Sequence, residues 1–236
     1  MSSKERFVGH WKDTKSTTNS PGVQIFDLVT SNKPSIDSIR ASLVIIGEGH
    51  RFAPTKFRGE AFYYFLSGNG ILLWHHDNTD LSYLIDNDTY AWLPGLHSHS
   101  FENTGEGPMR CLVVTCKTSD SYEMRDGNVK KLDLLKPTGR KLADSFYGFE
   151  IQGTRRLLGG GYQLFSPGKA QNDHSHDEEI VYLVRGEGKL VVGLTEFELT
   201  AGSAALTPKN IKHRLINTGH DMFGYIVLEF GQECNP

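Results

Sequence analysis

The chain has little cysteine, no long apolar run and no strong charge of either sign. Its 236 residues include three cysteines, Cys111, Cys116 and Cys234. None stands in a Cys-x-x-Cys pair, which argues against structural zinc. Cys111 and Cys116 are five apart in RCLVVTC, so within one strand they face opposite sides and cannot pair. Such sparse usage fits a reducing compartment, and a cytoplasmic protein is expected. No apolar stretch approaches the roughly 18 residues that span a bilayer, so no membrane partner is expected. The opening MSSKERFVGHWKDTKSTTNS is polar, and no secretory leader is expected. A formal net charge of −3 gives no electrostatic case for nucleic acid. Lys130, Lys131, Lys136, Arg140 and Lys141 form a basic cluster that reads as a solvated linker. Helical pattern is scarce too, limited to a turn or two near 130–145.

What is present is a series of short strands. ASLVIIG, AFYYFLSG, GILLW, CLVVTC, GYQLFSPG, IVYLVRG, KLVVG and YIVLEF are apolar or alternating runs separated by Gly and Asn-Thr-Gly turns. That pattern predicts an all-β fold, a sandwich or barrel. A hydrophobic content of 38% and a charged content of 22% suit a folded soluble chain. The length allows one large domain or two of about 110 residues each.

An internal repeat favours two units. FYYFLSGNGILLW parallels IVYLVRGEGKLVV, with Gly68 and Gly70 lying 118 positions before Gly186 and Gly188. Pro94, His99, Asn103 and Gly105 lie 114 positions before Pro208, His213, Asn217 and Gly219. The offset shrinks because the first copy has a longer hairpin, WHHDNTDLSY.

The second copy carries the chemistry. His174 and His176 alternate, a carboxylate follows at Glu178 or Glu179, and His213 arrives 37 positions after His176. Side chains two apart on an extended segment share a face, so both imidazoles can aim into one cavity. Three imidazoles and one carboxylate make a mixed N/O site for a divalent first-row metal.

These motifs resemble those of the cupins. The family's first motif separates a glycine by five residues from His-x-His and sets a glutamate ahead of a turn glycine. Gly168, His174, His176, Glu179 and Gly186 fit it in GKAQNDHSHDEEIVYLVRG. Gly202, Pro208, His213 and Asn217 fit the second motif in GSAALTPKNIKHRLIN. Asn210 stands where the family usually has glycine, and Asn tolerates left-handed backbone. The family leaves at least three residues between the second histidine and the glutamate; this chain leaves two. Counting back from Gly186 selects Glu179, the reading preferred here, whereas strand parity counted from His176 selects Glu178.

The resemblance implies two tandem cupin barrels, each a double-stranded β-helix or jelly roll. Expected boundaries are an arm over 1–22, a first barrel over 23–117, a connector over 118–148 and a metal-binding barrel over 149–231. The expected ligands are His174, His176, Glu179 and His213. In the first copy Lys56 and Arg58 fall where the second has His174 and His176, and Glu60 and His99 remain. That copy reads as metal-free and filled by side chains such as Phe62, Tyr64 and Trp92. The sharper alternative is an anion pocket of Lys56, Arg58, Glu60 and His99. A second His-x-His, His97 and His99, is a weaker metal candidate.

A metal that prefers six ligands and takes four from the protein keeps positions open for substrate. Iron or manganese is expected, with zinc and nickel as alternatives. The function is expected to be that of a metal-dependent enzyme on a small oxygen-bearing molecule, leaning to Fe(II) dioxygenase chemistry. The alternatives are a redox-neutral isomerase, lyase or decarboxylase, and a non-catalytic small-molecule binder. Glu178, Tyr162, Gln163 and Tyr225 are candidate catalytic residues, and Phe165, Val181, Leu183 and Leu215 candidate substrate-lining residues. A homodimer is expected, with PGVQIFDLV free to cover a strand edge.

Overall fold

Runs in which every residue is apolar, such as AFYYF and IVYLV, suit strands buried on both faces, and strands of that kind need cover on each side. The computed structural model of the protein describes residues 7–30, 39–76, 79–118, 127–136 and 145–232. Its strands in the first part of the chain are β1 (Val8–His10), β2 (Val23–Thr30), β3 (Arg40–Ile46), β4 (Arg51–Phe52), β5 (Gly59–Ser67), β6 (Gly70–His76), β7 (Thr79–Ile85), β8 (Thr89–Pro94), β9 (Ser98–Asn103), β10 (Met109–Lys117) and β11 (Asn128–Lys131). There follow β12 (Phe146–Gly148), β13 (Leu157–Phe165), β14 (Glu178–Arg185), β15 (Glu187–Val192), β16 (Thr195–Thr200), β17 (Ser203–Thr207), β18 (His213–Asn217) and β19 (Phe223–Phe230).

Among the described residues the strands form four sheets. One runs β11-β8-β5-β10-β3-β2 and a smaller one β4-β9-β6-β7. The later residues, with β1 added from the N-terminal segment, repeat the order as β1-β17-β14-β19-β13-β12 and β16-β15-β18. Side-chain alternation explains the layering. Phe62 and Tyr64 of β5, with Ile180 and Tyr182 of β14, enter one apolar cluster shared by the two large sheets. Ala61, Tyr63 and Phe65 turn the other way into a cluster with Leu72 and Phe101. Val181 and Leu183 likewise join Leu190, Leu215, Phe223 and Tyr225. The all-β expectation is met.

The sequence repeat is also a repeat of hydrogen bonds. Asn103 Nδ2 donates to Ile46 O at 2.9 Å and Gly107 O at 2.7 Å, and its Oδ1 accepts from Gly105 N at 3.1 Å. Asn217 makes the same three bonds with Phe165 O, Asp221 O and Gly219 N, at 3.1, 2.8 and 3.0 Å. Each asparagine thus ties its turn to a strand of the facing sheet and satisfies buried backbone groups.

The connector and the strand edges carry detail beyond the sequence reading. Within the expected connector, residues 128–131 pair as a strand with β8 and residues 146–148 with β13. The turn of helix expected near 130–145 therefore does not begin at 130, and residues 137–144 lie outside the described residues. VQIFDLVT is β2 itself and pairs with β3, while the edge at β17 is covered by β1, with Leu206 N donating to Phe7 O at 2.7 Å. Arg156, just ahead of β13, is buried, and its guanidinium donates to Lys117 O at 3.0 Å and Gly231 O at 3.4 Å.

Candidate metal centre

β14 begins at Glu178, so His174 and His176 lie ahead of it in an extended loop, held by one isolated bridge between His174 and His213. Strand parity therefore cannot be counted from His176. Within β14 the odd positions 179, 181 and 183 face the β15–β18 sheet, and the even positions face the shared central cluster. Glu179 falls on the side of the histidines and Glu178 on the opposite side.

Three imidazoles and the Glu179 carboxylate converge. Ring centroids are 4.4 Å apart for His174 and His213, 4.8 Å for His176 and His213, and 5.3 Å for His174 and His176. Glu179 Oε2 is 3.3 Å from His176 Nε2, and Oε1 is 3.7 Å from His213 Nε2. Each ring is oriented through its other nitrogen. Nδ1 of His174 bonds Asn172 O at 2.9 Å, that of His176 bonds Asp177 O at 2.7 Å, and that of His213 bonds Ile211 O at 2.8 Å. A carbonyl accepts only, so Nδ1 carries the proton and Nε2 is the nitrogen presented to the cavity. This is the outer-shell arrangement that fixes metal-ligating histidines.

One atom gives a direct test of fit. His213 Nε2 is sealed from solvent and has no hydrogen-bond partner, the single such side-chain atom among the described residues. A buried polar atom without a partner is costly. A divalent metal between the imidazoles and Glu179 supplies that partner, so the donor set fits one. Without a metal ion, the Glu179 carboxylate beside His176 pushes its pKa up to about 9. Burial instead pushes His213 down.

Backbone geometry locks the loops that carry these rings. Asn210 adopts the left-handed conformation at φ 60°, and its N–H donates to His176 O at 2.8 Å. Arg214 pairs with Asp173 at 2.9 Å and Lys209 with Asp177.

The other candidates divide by face. Tyr225 and Gln163 lie on the centre's side: Tyr225 Oη donates to Gln163 Oε1 at 3.1 Å, and burial, then Glu179, raises the Tyr225 pKa. Tyr162 is turned into the central cluster against Tyr147 and is not brought to the centre. Glu178 shares that orientation, on the face of Ile180 and Tyr182. Phe165, Val181, Leu183 and Leu215 all reach the inner cluster, where they pack as wall. Two residues escaped the sequence reading. Gln171 Nε2 donates to Tyr225 Oη at 2.9 Å. Glu229 opposes Glu179 across β14 and β19, and His176, Glu179 and Glu229 each offer an atom within 4.8 Å of the others. The signal for Glu229 was parity with Tyr225 along YIVLEF; Gln171 had no comparable signal.

Comparison with known proteins follows the same line. Residues 161–228 match the family model described as Cupin domain. The segment contains every residue of the converging cluster. No curated protein sequence matches the chain. Among solved structures, a mutant of Bacillus subtilis oxalate decarboxylase superposes with a TM-score of 0.78 at 12% identity, covering 100% of this chain and 80% of that one. AerE from Microcystis aeruginosa gives 0.77 at 16% identity, covering 95% and 99%. Vicilin from Corylus avellana gives 0.74 at 11% identity, covering 96% and 86%. At these identities the likeness is one of fold, and the cupin-domain match itself is confined to residues 161–228.

The first part of the chain lies outside the cupin-domain match, and no comparable cluster occurs among its described residues. His99 Nδ1 bonds His97 O at 3.0 Å, which leaves Nε2 as acceptor, and Tyr63 Oη donates to it at 2.7 Å. Both nitrogens are thus satisfied, where His213 keeps one open. His97 Nδ1 accepts from Trp74 Nε1 at 3.3 Å. The anion pocket is not assembled. Lys56 and Arg58 are exposed, and the Glu60 carboxylate is taken by the backbone N–H groups of Arg155, Arg156 and Leu157. Phe62, Tyr64 and Trp92 are buried, but in the central cluster.

Proposed function

We propose that the protein is a metal-dependent cupin enzyme acting on a small oxygen-bearing molecule, with redox-neutral isomerase, lyase or decarboxylase chemistry as its reaction class. The observation that carries this reading is the sealed, unpartnered His213 Nε2 facing His174, His176 and Glu179. His174, His176, Glu179 and His213 would hold the metal, and manganese or iron suits the set. Oxalate decarboxylase, one of the fold neighbours, has Mn(II) centres, which lends manganese some weight. When bound, the metal supplies Lewis acidity toward a carbonyl or enolate oxygen. The remaining work belongs to side chains. Glu229 is placed to take and return a proton at its carboxylate, and Tyr225 with its two glutamines orients the ligand. Phe165, Leu183, Leu215 and Phe223 exclude water behind it.

Fe(II) dioxygenase chemistry uses the same ligands and is the second reading. The apolar wall favours it, since such a wall suits a largely hydrocarbon substrate. The groups able to move protons favour the first. The test is a metal-loaded, anaerobic sample in heavy water, scanned for exchange of C–H bonds next to carbonyls in small keto and hydroxy acids, beside an aerobic oxygen-uptake screen. Exchange without uptake supports redox-neutral chemistry; substrate-dependent uptake moves the assignment to the dioxygenase.

The reading extends to the whole chain. The matched strand orders and asparagine clasps support two tandem cupin barrels, the first metal-free, with boundaries near 23–117 and 149–231. The free, buried Cys111 and Cys116 suit a reducing cytoplasm. A homodimer is proposed, to be measured by light scattering.

A further inference from the structure

Beside the histidine cluster runs a hydrogen-bonded chain whose direction is set at one end by the backbone. Leu215 N donates to Gln171 Oε1 at 2.8 Å. A main-chain N–H can only donate, so the Gln171 oxygen is committed to it and the amide nitrogen faces the other way. That nitrogen donates to Tyr225 Oη at 2.9 Å. The phenol donates its own proton to Gln163 Oε1 at 3.1 Å. Gln163 therefore has its oxygen occupied and its Nε2 left over. Among the described residues no protein acceptor meets that nitrogen, and it is not a sealed, unpartnered atom, since His213 Nε2 is the single atom of that kind. Gln163 itself is 6% exposed, and it lies opposite Tyr225 in the β13–β19 ladder, on the wall facing Glu179.

We infer that Gln163 is a specificity residue that presents amide N–H donors to the substrate, and that Gln171, acting through Tyr225, is the positioning residue that fixes this polarity. The ligand this site takes is one with an acceptor oxygen, a carbonyl or carboxylate, facing β13. An alcohol in the same place loses nothing by accepting, but a site built to donate gives it no added discrimination. The inference rests on the proposed metal site and deepens it by naming the substrate's functional group. A neutral chain of this kind needs no charge in the wall and leaves no buried donor unpaired once the ligand is bound.

The relay makes reversal possible. In Gln171→Glu the carboxylate still accepts from Leu215 N, and its second oxygen now accepts from Tyr225. The phenol proton turns toward it, Gln163 swings its nitrogen to donate to the phenol oxygen, and its carbonyl oxygen faces the cavity. Gln163→Leu removes the donor outright, and Gln163→Glu presents an acceptor in its place should the leucine variant fail to fold.

The test uses manganese-loaded full-length protein with pyruvate labelled at the keto carbon as probe. Metal content, pyruvate affinity from manganese relaxation, and the infrared keto stretch of the bound probe at saturation are recorded together. Wild type should show a keto stretch shifted to lower frequency. Gln163→Leu should bind pyruvate roughly tenfold more weakly, about the effect of one hydrogen bond, with metal content unchanged. The stretch should lie at higher frequency than in wild type, by the part of the shift that the Gln163 hydrogen bond adds to that of the metal, in Gln163→Leu, Gln163→Glu and Gln171→Glu. A stretch that stays at the wild-type frequency in Gln163→Leu or in Gln171→Glu would overturn the relay. A wild type that holds no manganese would instead overturn the metal-site reading, so the two failures are distinguishable.

Discussion

Two neighbouring glutamates have opposite fates because a strand alternates. Glu179 faces His176 and His213, whereas Glu178 shares the face of Ile180 and Tyr182. Glu179→Gln should lower metal affinity at least tenfold and Glu178→Gln much less, as read by competition with a fluorescent chelator. The reverse order would move the ligand to Glu178. His99 gives a prediction about pH. Burial pushes its pKa down from 6.5 to about 4, so the folded protein holds it neutral where the unfolded chain is already protonated. Its contribution to stability is full above pH 6.5 and is lost as pH falls toward 4. Between pH 7 and pH 5 the loss should be about 2 kcal/mol. Urea unfolding of wild type and His99→Phe at both pH values checks this: the variant should lose less stability on acidification, and an equal loss in both would contradict it.

At the scale of elements, the centre depends on two loops that meet across a short ladder. Asn210 holds the left-handed turn from which its N–H reaches His176 O. Asn210→Gly should leave metal affinity within a few-fold of wild type. Asn210→Val should cost about 1–2 kcal/mol in stability and weaken metal binding, because a β-branched residue resists positive φ; equal behaviour of the two variants in chelator competition and thermal melts would remove this role. The turn was legible in sequence, since Asn substitutes for Gly there. So were the strands, the repeat and all three histidines. The choice of carboxylate was legible only from the turn glycine, because the loop carrying His174 and His176 breaks the period of two before β14 starts. Glu60 and Tyr162 were misplaced for a related reason. Their strands are buried on both faces, so apolar neighbours give no sign of which face is the cavity. Tyr63 carried no signal either, as a tyrosine in an apolar run reads as core until its hydroxyl is seen against His99.

At the scale of the molecule, the two large sheets share one apolar cluster, in which Phe62, Tyr90 and Phe149 meet Tyr162, Ile180 and Leu228. The first strand pairs with β17, and Glu60 of β5 accepts from the backbone entering β13. Neither pair of sheets has a closed surface without the other. Thermal unfolding should therefore show one cooperative transition in calorimetry, with calorimetric and van't Hoff enthalpies in agreement. Metal binding only to the folded state should raise its midpoint with metal concentration. Two separated transitions, one insensitive to metal, would mean that the halves fold independently.

The most direct measurement is elemental analysis of protein purified without chelators or a histidine tag, on wild type, His213→Ala and Arg58→Ala in parallel. The account predicts about one divalent transition metal per chain in wild type and in Arg58→Ala, and almost none in His213→Ala. Metal retained in His213→Ala, or lost equally in Arg58→Ala, would contradict it.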